Sequence, residues 1–216
     1  MREHLFPTFR GNAATKYGSE KEVIARNLLV EQGLQVSLSG TRVSLTEPWL
    51  SASPDGIING VELLEIKCPI LKNNTTSLAD HFTMNYSDIK VVDGKPELQR
   101  NGVRGYYKQI QLGMFCTGLR MAKLLVWSSK EHILINVPYD AEYLAEQVTR
   151  LRGFYFSVML PRVVDEFNAG RLKLNGKYLQ NSGMPHSHGD AEQLQGYEMC
   201  GVGARCTDLS QSRSSE

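Results

Sequence analysis

The run Ala52-Ser53-Pro54-Asp55-Gly56-Ile57-Ile58-Asn59-Gly60-Val61-Glu62-Leu63-Leu64-Glu65-Ile66-Lys67-Cys68-Pro69 carries more structural signal than any other part of the chain. Side chains alternate faces along a strand, so Leu64 and Ile66 share one face and Glu65 and Lys67 share the other. The apolar face is expected to meet the core, which leaves a carboxylate and an ammonium side by side on the opposite face. Asn59-Gly60 is a hairpin signal that folds the Asp55 strand back beside the Glu65 strand. A two-residue turn pairs position 58 with 61 and 55 with 64, placing Asp55 and Glu65 on opposite faces. A three-residue loop with a bulge pairs 55 with 65 and places both carboxylates on one face. The sequence permits both registers. Pro54 fixes the approach to Asp55, and Gly56 leaves room for backbone or ligand to come close.

Upstream, a helix is expected from about Ser19 to Gln32, closed by Gly33, with Ile24/Leu28 and Ala25/Leu29 at helical spacing. Leu34 to Leu50 alternates loosely around a Ser39-Gly40 break, which predicts a strand pair. Residues 70–97 are polar and turn-rich and read as a long loop with a short helix near Leu78–Phe82. A helix from about Tyr106 to Cys116 follows, then strands Ala122–Trp127 and Ile133–Val137. Asp140 to Phe167 reads as a long amphipathic helix with a break at Pro161. The expected organisation is a partial N-terminal segment over 1–17, one domain over 18–174 and a flexible tail over 175–216, where Ser, Gly, His, Gln and Arg dominate without apolar period.

Length and composition bound the function. At roughly 150 residues per domain, 216 residues make one domain with extensions, or two small ones. Apolar residues at 41% and charged residues at 22% exclude wholesale disorder. Lys and Arg total 24 against 23 Asp and Glu, a net charge of +1, which excludes a polycation but allows a local basic face. Four cysteines, at 68, 116, 200 and 206, are too few and scattered for a disulfide framework. The His186/His188 and Cys200/Cys206 spacing matches no standard zinc knuckle. No apolar run is long enough to span a membrane and no leader is seen, so a soluble, intracellular protein is expected.

The residue types of the hairpin point to divalent-metal hydrolysis. Two nearby carboxylates repel and are usually held by a hard cation, which would neutralise a scissile phosphate and lower the pKa of a bound water. A lysine two residues from a metal-binding Glu reaches the same space, where it can orient a water and stabilise an oxyanion. A solvated Glu–Lys pair on a surface hairpin is the plainer reading. Two further features converge. Glu22 has Ala25, Arg26 and Leu29 on its helix face, which makes it either an inward-pointing ligand or an acid favoured by the helix dipole. Residues 98–130 hold Arg100, Arg104, Lys108, Arg120, Lys123 and Lys130 and no acid, with Tyr106, Tyr107, Phe115 and Trp127 interleaved. This is either a phosphate-backbone surface or a solvated face over a core. Gln109 lies three residues from Tyr106, on the same helix face, and could orient a water or a phosphate.

Ser53-Pro54-Asp55-Gly56, Glu65-Ile66-Lys67-Cys68-Pro69, Tyr106-x-x-Gln109-x-Gln111 and Thr117-Gly118, in that order, resemble the YqaJ-type viral recombinase family. Its best-known member is the phage lambda exonuclease, and it belongs to the PD-(D/E)xK nuclease superfamily. Gly18-x-x-x-Glu22-x-x-Ala25 matches the family's first-helix acid, and Tyr155-Phe156 and Leu160-Pro161 resemble its C-terminal helix in animal members. The resemblance spans about Thr15 to Phe167. It implies an α/β, restriction-endonuclease-like fold with a mixed central sheet flanked by helices. It also implies Mg²⁺- (or Mn²⁺-) dependent hydrolysis of DNA, exonucleolytic at double-stranded ends, and by family analogy a ring-trimeric homo-oligomer.

By position in the motif, Asp55 and Glu65 would be metal ligands together with the Ile66 carbonyl, Lys67 the catalytic lysine and Glu22 an assisting acid. Gln109 would sit at the site. Ser53, Tyr106, Arg100, Arg104 and Lys108 would meet the nucleic acid. The chain departs from the family where an N-terminal stretch with Arg-Gly and Thr-Ala-Ser is missing or barely represented, and where Leu45 stands at a position that is Asp in some members. The shortened N-terminal stretch leaves an inactive nucleic-acid-binding module, derived from such a nuclease, as the alternative to an enzyme.

Overall fold

The computed structural model describes residues 12–71, 77–82 and 88–172. The segment 1–11 and the tail 175–216, with its His and Cys pairs, lie outside the described residues. The chain divides into two units, Met1–Val164 and Asp165–Glu216. Among the described residues of the second, Arg171 Nε pairs with Glu166 Oε2.

The first helix, α1 (Ala13–Glu31), begins six residues before the expected Ser19. Its start is set by a capping box in which Asn12 accepts from the Thr15 amide at 3.0 Å and Thr15 Oγ1 accepts from the Asn12 amide. Gly18 and Ser19, which read as a boundary, are carried inside the helix; a Gly there costs about 1 kcal/mol against Ala. Gly33, at φ 88°, ends it, and Leu34 N donates back to Leu29 O at 3.0 Å.

The central sheet runs β1 (Val36–Ser37), β4 (Gly56–Ile58), β5 (Glu62–Lys67), β8 (Met121–Trp127), β9 (His132–Pro138). It is mixed: β5 and β8 are parallel and the other neighbours antiparallel. The expected pairing of the two strands within 34–50 does not form. β1 joins β4, and β2 (Arg42–Val43) pairs instead with β3 (Ser51–Ala52). The close approach that Gly56 permits is the reason: a Cβ there would lie 3.1 Å from Val36 Cγ1 and 3.2 Å from the Ser37 carbonyl. The neighbouring strands β1 and β5 fill that space.

The 70–97 stretch holds the expected short helix, α2 (Leu78–Phe82), but also an unexpected hairpin, β6 (Ile89–Val92) and β7 (Lys95–Leu98). Its turn, Asp93-Gly94, has both φ values positive, the two-residue hairpin geometry, so the turn residues of the expected loop join two strands here. Helix α3 (Tyr106–Thr117) matches expectation closely, and α4 (Ala141–Phe154) begins where the helix over 140–167 is expected. At Pro161 the helix is not broken. A π-helical turn (Tyr155–Met159) leads into α5 (Leu160–Asn168), with Leu160 N donating to Tyr155 O, so the wider turn takes up proline's missing donor and its bulk.

Both faces of the sheet are covered. Leu63, Ile110, Met114, Leu124 and Val126 form one core with α3, and Ile58, Leu64, Ile66 and Leu125 form another with Ala25 and Leu29 of α1. The Glu65 face is therefore not the solvent side of a hairpin. It is a second core that ends in charge. No helix among the described residues is long and apolar enough to cross a membrane.

Candidate active site

The hairpin register decides the site. Ile58 pairs with Glu62, Ile57 with Leu63 and Gly56 with Leu64. Three residues, Asn59 to Val61, make the loop, with Asn59 and Gly60 at φ 50° and 74°. Extended one step, this register sets Asp55 opposite Glu65 on the same face, the second of the two permitted arrangements. Asp55 Oδ2 accepts from the Ile66 amide at 2.7 Å, which holds the carboxylate against β5.

At the C-terminal end of β5, between α1 and α3, opens a cleft of about 550 Å³ lined by Glu22, Asp55, Glu65, Ile66, Lys67, Tyr106 and Gln109, among others. Arg104 and His81 also face it. Glu65 is only 2% exposed. Its Oε1 accepts from Lys67 Nζ at 2.6 Å and from Gln109 Nε2 at 2.6 Å, while Gln109 Oε1 accepts from Lys67 Nζ at 3.1 Å. The triangle fixes the Gln109 amide: its nitrogen must face the carboxylate and its oxygen the ammonium. Lys67 Nζ also stands 4.9 Å from the centre of the Tyr106 ring, a cation–π contact.

Burial pushes the Glu65 carboxyl up to about 7; Lys67 opposes this and the Asp55 charge adds to it. Burial, then Asp55, raises Glu22 as well, partly offset by Arg26. The Arg26 guanidinium pairs with Glu22 Oε1 and donates from Nε to the Asp55 carbonyl at 3.2 Å, tying the helix acid to the Asp55 turn. Cys68 lines the cleft too, but burial pushes its thiol up to about 11, so it is neutral and no nucleophile.

The donor set fits a hard divalent cation. Asp55 and Glu65 each keep one carboxylate oxygen free of the bonds described, and carboxylate oxygens held close together at one end of a strand are the donors such a cation takes. Among the described residues no group of three His, Cys, Asp or Glu side chains stands close enough to ligate one ion. Glu22 lines the same cleft, where it pairs with Arg26.

The remaining expected residues divide. Ser53 is exposed and does not line the cleft. Of the acid-free stretch, Arg100 pairs with Asp140 at 3.3 Å, Lys123 pairs with Glu62 at 3.3 Å, and Arg120 lies 4.1 Å over Tyr139. Arg104 and Lys108 have no carboxylate partner among the described residues. The two glutamines of the Tyr106 motif part company. Gln109 enters the site, whereas fully buried Gln111 ties α3 to the start of α4, donating to Pro138 O at 2.8 Å and accepting from Asp140 N at 2.9 Å.

Sequence reasoning missed Asp88. This residue, 1% exposed, accepts from the Arg104 and Tyr106 amides at 2.8 and 2.9 Å. It caps α3 in place of Gly105, which has no side chain to do so. Gly102 belongs to the same device, since a Cβ there would fall 2.3 Å from Asp88 Cγ. Nothing local marks Asp88, because its partners lie more than fifteen residues away. Asp88→Ala is expected to leave both amides without their acceptor, at about 0.5–2 kcal/mol for the lost cap. Urea denaturation should show the midpoint lowered with an unchanged slope; an unmoved midpoint would refute the capping role.

Residues 2–120 match the model of the YqaJ-like viral recombinase domain. The match starts earlier than the Thr15 at which the motif resemblance begins, and it takes in Asp55, Glu65, Lys67 and Gln109. No curated protein matches the chain. Among solved structures, the alkaline exonuclease LHK-Exo from Laribacter hongkongensis is similar at TM-score 0.57 and 27% identity, over 79% of this chain and 81% of that one. LHK-Exo in complex with dAMP is similar at TM-score 0.57 and 26% identity, over 76% of this chain and 78% of that one. The mixed sheet flanked by helices is thus shared with a nuclease fold.

Proposed function

Because this chain belongs to the YqaJ-like viral recombinase domain family, we propose that it is a Mg²⁺- (or Mn²⁺-) dependent DNA nuclease of the PD-(D/E)xK type, acting exonucleolytically on double-stranded ends. The observation that carries this reading is the triangle of buried Glu65 with Lys67 and Gln109 at the cleft, with Asp55 beside it. Asp55, Glu65 and the Ile66 carbonyl would hold the cation, with Glu22 assisting. A bound divalent cation would supply charge neutralisation at the scissile phosphate and a lowered pKa for water beside it.

The chain's own groups do the rest. Lys67 Nζ, held by Glu65 and Gln109, orients the attacking water and stabilises the negative charge that builds on the phosphoryl oxygens. Gln109 and Lys67 keep Glu65 Oε1 occupied, which would leave Oε2 for the cation. Tyr106 supports the ammonium from below. Arg104, at the rim and without a carboxylate partner, meets the backbone of the bound strand.

A cleavage time course on linear and closed circular double-stranded DNA, with Mg²⁺ and with EDTA, tests the reading. Loss of linear DNA alone, dependent on metal, is the expected result. A folded chain that shifts DNA on a gel yet leaves both substrates whole would replace the enzyme with a binding module.

A further inference from the structure

Arg104 lines a second hollow besides the catalytic cleft. This recess, also about 550 Å³, is walled by the 100–105 loop, by Lys108 of α3 and by Tyr143, Gln147 and Arg150 of α4. Two observations mark it. Gln147 is 6% exposed, and its amide has no hydrogen-bond partner among the described residues. Buried amides nearly always have one, so this donor is set for something outside the fold. The charge around it is positive. Glu142 faces Arg100, which also pairs with Asp140, and Glu146 lies 3.9 Å from a largely exposed Arg150. Arg104 and Lys108 remain without a carboxylate.

We infer that this recess binds backbone phosphates of the DNA strand whose scissile phosphate lies at Lys67, with Arg104, Lys108 and Arg150 supplying charge and the Gln147 amide donating to a phosphate oxygen. The inference rests on the nuclease reading and extends it. Because Arg104 is common to both hollows, one strand can pass from the cleft into the recess without leaving cationic surface. The amide adds a directed hydrogen bond and no charge, whereas each cation adds both attraction and counterion release.

The two contributions separate experimentally. A labelled duplex with a short single-stranded end is titrated by fluorescence anisotropy with the Lys67→Ala chain in Mg²⁺, across about 50–200 mM salt. Added to that chain, Arg150→Gln should weaken binding roughly three- to tenfold and lower the salt slope by about 0.7–0.9. Gln147→Leu should weaken binding several-fold at an unchanged slope, with a thermal midpoint equal to or above the parent's, since an apolar side chain of similar size relieves an unpaired buried amide. Parent affinity and slope in both variants would overturn the inference. So would a lowered midpoint in Gln147→Leu, which would make the amide structural. Displacement of the duplex by excess mononucleotide from the parent but not from Arg150→Gln would make the recess a product site and remove the strand assignment. In the chain with Lys67 intact, normal cleavage at unchanged KM in both variants leaves the nuclease reading and sinks the recess. Binding that depends on these residues without any cleavage does the reverse.

Discussion

Lys67→Ala is expected to lower the cleavage rate by about 10³-fold or more while DNA affinity changes less than about threefold. The geometry makes both halves of this expectation. Nζ sits 2.6 Å from Glu65 Oε1 and 3.1 Å from Gln109 Oε1, in the cleft rather than on the basic rim. Its attraction is therefore for charge that develops during reaction, and little of it is spent on the resting phosphodiester. Truncation also removes the cation that opposes the burial of Glu65, so that carboxyl is pushed further up. Lys67→Arg should rescue poorly, because a planar fork cannot occupy a point donor's place against both Glu65 and Gln109. Single-turnover rates and anisotropy titrations on the same DNA check the split. Cleavage at the parent rate would remove Lys67 from the reaction.

Glu65→Gln carries the second large effect, and it has opposite signs on activity and on stability. Cleavage should fall by orders of magnitude, since an amide is a poor ligand for a hard cation. In EDTA, however, the variant should be the more stable chain above neutral pH. An unfolded glutamate titrates near 4.5, and in the fold burial moves it up to about 7. Between those values the folded chain keeps a proton that the unfolded chain gives up. The stability this contributes is full below pH 4.5 and is lost as pH rises through about 7, a change of roughly 3 kcal/mol. Urea midpoints of the parent without metal should thus fall from pH 5 to pH 8, and Glu65→Gln should flatten the decline. Saturating Mg²⁺ should do the same for the parent by stabilising the ionised carboxylate. An equal slope in parent and variant would mean that Glu65 is hydrated and ionised throughout.

Most of the site was legible because its signals are local. Asp55, Glu65 and Lys67 lie within thirteen residues, and Asn59-Gly60 announces the turn between them. The loop length, on which the register hangs, was not legible: two- and three-residue turns share the same sequence signal, and packing on both faces of β5 chooses between them. The burial of Glu65 was also hidden, because Leu63 looks like one apolar residue on a charged face until α3 covers it. Strands β1 to β3 were misassigned for a related reason. Two-residue strands carry almost no periodicity, and their partners are set by what Val36 and Gly56 can pack against. The hairpin of β6 and β7 was missed where Asp93-Gly94 sat beside Pro96, which reads as a breaker but is tolerated in a short two-stranded ribbon. Contacts such as Asp88 to the Arg104 and Tyr106 amides are long-range and leave no local trace.

β5 is hydrogen-bonded on both edges and packed on both faces. The carboxylate and ammonium at its end therefore ride on the segment that opens last. Amides at the centre of such a strand exchange with solvent only when the whole cooperative unit lets go. Chemical competence and the global folding transition then become one event on heating, with no range of temperature in which the chain stays folded but its site has frayed. Change over evolutionary time is correspondingly easiest in the β2–β3 ribbon, which lies outside the central sheet and is mostly exposed.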